Sequence, residues 1–202
     1  MILGITGCPG SGKSLLASEI EKHGWVLIDA DEIGREVVES SSDILKNLAD
    51  AFGSDIVDSD GKLDRRLLAK RVFGNIENTN KLNKIVHPPL IKRLKSSIKE
   101  VISENRNGVI DCALIFEWDI EDIFDFVICA AADERLRKKR LMERDGRSSE
   151  EVENLFSAQL LESEKMRKAD IVLKNNDSIE RMKIFSKMLA ELPRIEKVLN
   201  DG

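Results

Sequence analysis

The chain has 202 residues, 42% of them hydrophobic and 34% charged, with 32 Lys and Arg against 37 Asp and Glu for a formal charge of −5. That composition describes a soluble globular protein of one domain with a sizeable core, and it excludes the disordered and fibrous classes. The acidic balance argues against a nucleic-acid coat or a polybasic membrane anchor, although an anionic small ligand needs only a local basic patch.

In chain order, Ile2 to Thr6 is a short apolar run ending in a Gly-rich turn, the pattern of a buried strand. Leu15, Leu16 and Ile20 predict a helix over Lys13 to His23, stopped by Gly24. Trp25 to Ile28 reads as a second strand ending in Asp29, Val109-Ile110 as a third ending in Asp111, Phe126 to Cys129 as a fourth and Ile171 to Leu173 as a fifth. Short apolar strands separated by helical patterns predict an α/β fold, a five-stranded parallel sheet flanked by helices.

About 75 residues separate the second and third strands, far more than one crossover helix needs. The apolar spacing there is helical throughout. Ile44, Leu45, Leu48 and Phe52 form one stripe, and Leu67, Leu68, Arg71 and Val72 another after a candidate N-cap at Asp64. Ile91, Leu94, Ile98, Val101 and Ile102 form a third after a break at His87-Pro88-Pro89. This segment reads as a helical insert on the carboxyl edge of the sheet. Further on, Ser148 and Glu151 form a capping box that opens a long helix to about Lys168, and a last helix runs from about Asp177 to about Leu192.

No apolar run approaches the roughly 18 residues of a membrane helix. The first residues lack a basic n-region. Cys8, Cys112 and Cys129 form no CxxC pair, so neither a disulfide framework nor a zinc site is expected. A cytoplasmic protein without membrane or nucleic-acid partners is the expectation.

Gly7-Cys8-Pro9-Gly10-Ser11-Gly12-Lys13-Ser14 matches the P-loop pattern G-x-x-x-x-G-K-[ST]. Its glycines let backbone N–H groups curl around phosphate oxygens, and the following helix N-terminus adds its dipole. Lys13 would reach the β- and γ-phosphates of ATP, and Ser14 would ligate Mg²⁺. The Asn-Lys-x-Asp base-recognition motif of GTPases is missing: Asn80-Lys81-Leu82-Asn83 and Asn83-Lys84-Ile85-Val86 both lack the Asp. A small P-loop chain with a helical insert suits a kinase of small metabolites.

Asp29-Ala30-Asp31 follows the second strand, where strand ends line the ligand crevice beside the P-loop. A carboxylate there can accept a hydroxyl proton during phosphoryl transfer. Either Asp could instead cap the next helix. Between Asp133 and Arg147 stand seven basic and four acidic residues. Arg140, Arg144 and Arg147 at spacings of four and three could share one helix face, either as an arginine-bearing lid over phosphates or as a solvated face.

Taken together, these pieces resemble the dephospho-coenzyme A kinase family over nearly the whole chain. The resemblance is carried by Thr6 through Ser14, Ile28-Asp29-Ala30-Asp31 with Arg35, Asp60-Gly61-Lys62-Leu63-Asp64-Arg65, Val72-Phe73 and His87-Pro88. It continues through Asp111-x-x-Leu114-x-Phe116-Glu117, Arg140-x-x-x-Arg144-Asp145, Gln159, Ala169-Asp170 and Asn175. It implies a P-loop NTPase three-layer fold with core at about 1–32, 105–132 and 166–202, a substrate-binding insert at about 33–104 and a lid at about 133–165. The implied activity is ATP-dependent phosphorylation of the ribose 3′-hydroxyl of dephospho-coenzyme A with Mg²⁺. Asp31 would be the general base, with Lys13 and Arg140 stabilising the transferring group. Cys8, Pro9, Gly10, Ser11, Gly12, Ser14, Leu15, Arg144 and Asn175 would bind ATP, and Arg35, Arg65, His87 and Glu117 would bind the substrate.

The chain departs from the family pattern at Cys8, where a second Gly is common, at Ala113-Leu114-Ile115 for Pro-Leu-Leu, and at Asp177 for a Gly. A shikimate- or gluconate-type kinase and a non-catalytic ATP-sensing module are the competing readings. The chain has 12 glycines but no adjacent pair, unlike a shikimate-kinase substrate loop.

Overall fold

The computed structural model describes residues 1–72, 75–176 and 179–194. Five strands form one parallel sheet: β1 (Ile2–Thr6), β2 (Val26–Asp29), β3 (Gly108–Asp111), β4 (Phe126–Ala131) and β5 (Ile171–Lys174), in the order β2-β3-β1-β4-β5. β1 is central and every one of its residues is buried, as a strand covered on both faces requires. The register pairs Ile5 with Asp111 and Asp29 with Asp111, so the two acidic strand ends stand at the carboxyl edge beside the exit of β1.

The chain divides into two compact units, 1–29 with 98–202, and 30–97. In the first, helix α1 (Lys13–Glu21) and helix α9 (Ile179–Ala190) pack on each other. Their Leu16, Ala17, Ile20, Met182 and Leu189 close a core with Leu3, Ile5, Val109, Ile128 and Leu173 of the sheet. Each of these Leu, Ile, Val and Met side chains contributes about 1.5–3 kcal/mol on burial. Helices α6 (Glu134–Asp145), α7 (Ser149–Ser157) and α8 (Glu162–Lys168) lie between β4 and β5 in sequence.

The second unit holds α2 (Ala30–Glu39), α3 (Ser42–Phe52), α4 (Arg65–Val72) and most of α5 (Ile76–Ser103). Val38, Ile44, Leu48, Phe52, Ile56, Leu68 and Val72 form its own core. The Ser41 hydroxyl caps α3 by accepting from the Ile44 amide at 3.3 Å. The Asp64 carboxylate caps α4 as expected, accepting from the amides of Arg66 at 3.0 Å and Leu67 at 2.9 Å.

Four local expectations need correction. Segment 44–102 is not helical throughout: Asp58 to Lys62 turns the chain back so that Val57 and Leu63 form an antiparallel bridge. The Pro pair does not break α5, which runs through Pro88 and Pro89. Two interior prolines cost about 3 kcal/mol each. Burial of Leu90, Leu94, Ile98 and Val101 along the same helix offsets that. The helix opened by the Ser148–Glu151 capping box ends at Ser157, and α8 is a separate helix. Arg147 lies beyond the C-cap Gly146 and so shares no helix face with Arg140. Phe73, Asp177 and the C-terminal Asp201-Gly202 lie outside the described residues.

Candidate active site

The Gly-rich loop leaves β1 at the buried Thr6 and enters α1 at Lys13. Gly12, the residue before the helix, sits at φ 96°, a left-handed conformation that L side chains resist. Because a glycine cap offers no side-chain oxygen, the first N–H groups of α1 are left to face a ligand, and no acidic residue stands in its first turn. The Lys13 ammonium lies 3.4 Å from the Ser14 hydroxyl and 3.4 Å from Asp111 Oδ1. Two groups from the first turn of α1 and one from the end of β3 therefore meet at one point. Cys8 and Ser11 are buried, Pro9 and Gly10 are half-buried, and Leu15 leans on the core.

Side chains from α6 and the end of β5 hold this loop from outside. Asn175 donates its side-chain amide to the Ser11 carbonyl at 2.8 Å, and its backbone N–H donates to Ala131 at 2.7 Å. Arg140 donates to the Gly10 carbonyl at 3.2 Å and the Asn175 carbonyl at 3.0 Å. Arg144 is exposed and forks onto Asp145 at 2.6 and 2.9 Å. That pairing holds the Asp145 carboxyl below the usual carboxylate range.

Arg137 roots α6. It is 5% exposed, donates to the Ala132 carbonyl at 3.0 Å, pairs with Glu162 at 3.2 Å and covers the Phe156 ring at 4.5 Å. Burial pushes the Glu162 carboxyl up, against the pull of Arg137. A side chain on Gly10 would collide with the Arg137 backbone, so loop and helix fit only through a glycine.

Glu117, after β3, pairs with Lys165 at 2.7 Å and accepts the Leu160 amide at 3.0 Å. Burial pushes the Cys8 thiol up, so it stays protonated; it donates to the Leu160 carbonyl at 3.6 Å. The Cys129 thiol, on β4, is pushed by burial to about 12.

The remaining expected site residues belong to the second unit. Asp31 is exposed in the first turn of α2, one residue inside the helix, so it is not the N-cap. Arg35 stands one turn later, and its carbonyl accepts from Arg65 at 3.5 Å. Arg65, which opens α4, also pairs with Glu39 at 2.8 Å. Within this unit the structure thus brings Arg35 and Arg65 together. His87 is half-buried in the middle of α5, and burial pushes its pKa down.

The sequence by itself assigns no role to Asp111, Arg137 or Lys165. For Asp111 a signal exists, an acidic residue closing an apolar strand. For the two cations there is none, because charged residues in helical sequence read as solvated.

A Gly-rich loop between the central strand of a parallel sheet and a helix opening with Lys-Ser defines a P-loop nucleotide-binding protein. The family model described as dephospho-CoA kinase matches residues 1–181, and the chain belongs to that family. The dephospho-CoA kinase of Carboxydothermus hydrogenoformans is 36% identical over 180 residues, covering 89% of this chain and 87% of that protein. Among solved structures, a Thermus thermophilus protein superposes with a TM-score of 0.79 at 34% identity, over 95% of this chain and 97% of that one. The dephospho-CoA kinase from Campylobacter jejuni gives 0.72 at 25% identity, over 96% and 98%. Membership makes the chain a kinase of coenzyme A biosynthesis, a transferase that phosphorylates an alcohol acceptor. Among the described residues no helix is long and apolar enough to cross a membrane.

Proposed function

We propose that this protein transfers the γ-phosphoryl group of ATP to the ribose 3′-hydroxyl of dephospho-coenzyme A, giving coenzyme A and ADP. The observation that carries this reading is the meeting of Lys13, Ser14 and Asp111 at the mouth of a glycine loop, in a chain of this family. Loop N–H groups and the start of α1 would bind the phosphates, and Lys13 would balance the charge that builds on the transferring group. Arg140, already beside the loop, would add a second positive charge there. Asp31 would take the 3′-hydroxyl proton as the new O–P bond forms. Arg35, Arg65 and His87 would meet the substrate from the insert, residues 33–104, and residues 133–165 would act as the lid.

The donor set also fits Mg²⁺. Among the described residues no three His, Cys, Asp or Glu side chains cluster as a metal cage. Magnesium in kinase sites instead uses one or two protein oxygens together with substrate phosphates. Ser14 and Asp111 would hold it, and when bound it would neutralise charge on the β- and γ-phosphates.

The test is an ADP-release assay with ATP and Mg²⁺, offering dephospho-coenzyme A, shikimate and gluconate in turn. Turnover with dephospho-coenzyme A alone, and a product phosphorylated at the 3′-hydroxyl, is the expected result. Turnover with another alcohol and none with dephospho-coenzyme A would overturn the reading.

A further inference from the structure

The pattern of residues 149–168 reads as one helix, yet the chain leaves helical geometry between Ser157 and Glu162. Hydrogen bonds to an ion pair of the buried Lys165 and the half-buried Glu117 fill that gap. Lys165 is 0% exposed. Its ammonium lies 2.7 Å from Glu117 Oε1, 2.5 Å from the Ala113 carbonyl and 3.3 Å from Gln159 Oε1. Three acceptors match the three N–H bonds of an ammonium. The same Glu117 oxygen accepts the Leu160 amide at 3.0 Å.

Both ends of this network reach the loop strand. The Leu160 carbonyl accepts the Cys8 thiol at 3.6 Å, and the Ala113 carbonyl accepts the Thr6 hydroxyl at 3.0 Å. Ala113 lies two residues past Asp111. One ion pair therefore ties together the exit of β1, the exit of β3 and the gap between α7 and α8. A pair of a buried lysine and a half-buried glutamate is often no more stabilising than apolar residues of the same volume, so stability alone is a weak account of it. What it supplies is register between segments that carry the site.

We propose that Glu117 and Lys165 are a positioning pair, holding the exit of β3 and residues 158–161 in the alignment with the phosphate loop that phosphoryl transfer needs. The inference rests on the phosphoryl-transfer function proposed for this site. Glu117 then serves the reaction through Lys165 and Leu160.

Removing Lys165 alone would strand a half-buried carboxylate and threaten folding. The test is therefore the double variant Lys165→Met with Glu117→Gln, which removes both charges and keeps an acceptor for the Leu160 amide. It is expected to unfold cooperatively and to bind ATP within about threefold of wild type, while kcat falls about 30-fold, since small misalignments are costly in transfer reactions. Amide hydrogen exchange at 159–161 is expected to quicken by about tenfold or more, because the bond from Leu160 to a carboxylate is weakened. A folded double variant with wild-type kcat, or with unchanged exchange at 159–161, would overturn the proposal. Should the double variant not fold, Glu117→Gln alone is measured in the same way, and wild-type kcat or unchanged exchange in it overturns the proposal equally. Exchange and ATP binding need no acceptor substrate. A wrong substrate would therefore show as an inactive wild type, and a wrong positioning pair as an unchanged variant.

Discussion

Asn175 holds the Ser11 carbonyl through its side-chain amide at 2.8 Å across 164 positions of chain. A trans peptide points its C=O and N–H in opposite directions. Fixing the Ser11 carbonyl against Asn175 therefore turns the Gly12 N–H the other way, away from Asn175. Gly12 completes the fit: a Cβ there would strike the Asn175 amide. Asn175 thus orients a donor of the phosphate loop from the end of β5.

Replacing Asn175 tests that role directly. Asn175→Ala removes one half-buried hydrogen bond, worth about 1 kcal/mol, so the KM for ATP is expected to rise about fivefold. Asn175→Asp should be worse, because a carboxylate would face the Ser11 carbonyl and put negative charge beside the phosphates. Steady-state kinetics over ATP concentration check both. An unchanged KM in both variants would mean the loop holds its shape without Asn175.

Much of this fold is legible in the sequence because parallel strands bury both faces and so appear as unbroken apolar runs. Ile2 to Thr6 is read in full for that reason, and Phe126 to Cys129 is found two residues short of the end of β4. The loop motif is legible because only glycine tolerates its backbone, and local capping at Asp64 and Ser148 is legible because each cap is made within four residues. Long-range constraints are not legible. The gap between α7 and α8 is set by Glu117, 43 residues from Leu160, and no local pattern announces it. Lys165 looks like a surface residue until β3 delivers its partner. The Pro pair misleads in the opposite sense, since the buried stripe beyond it carries the helix through.

His87 makes stability depend on pH. Burial holds its folded pKa below the ordinary value of about 6.5. Above that pH both states are neutral at this position, and it contributes no slope. Below it the unfolded chain takes up a proton that the folded chain resists, so stability falls as pH drops from about 6.5 through the folded value. Urea unfolding at about pH 7.5 and about pH 5.5 should show a larger loss in wild type than in His87→Gln. Equal losses would remove His87 as the source.

Asp31 is the proposed base, and its surroundings make the test clean. It is exposed in the first turn of α2, so Asp31→Asn should change stability by no more than about 1 kcal/mol, the usual worth of a charge at a helix start. Turnover should nonetheless fall by about 10²–10⁴, the usual contribution of a general base. Affinity for ATP should hold, because the phosphate loop is untouched. Calorimetric ATP titration beside single-turnover kinetics separates the two effects, and wild-type turnover in the variant would assign the proton transfer elsewhere.

Arg140 and Arg144 stand one turn apart on α6, carry the same charge and are held differently. Arg140 is half-buried, with each terminal nitrogen on a carbonyl of the loop or of Asn175. Arg144 has a side chain 70% exposed and forks onto Asp145. If charge alone governed the transfer step, the two would matter alike. If the anchored guanidinium matters, Arg140→Ala should cut kcat by about 10³, as the loss of an arginine aimed at a transferring phosphoryl group does. Arg144→Ala should then stay within about fivefold, since its partner lies in solvent and screened surface pairs are worth little. Arg140→Lys discriminates further. A lysine keeps the charge but cannot fork onto two carbonyls, so it should recover less than about a tenth of the lost rate. Full recovery by lysine would show that Arg140 acts as a charge and that its two carbonyl bonds are incidental.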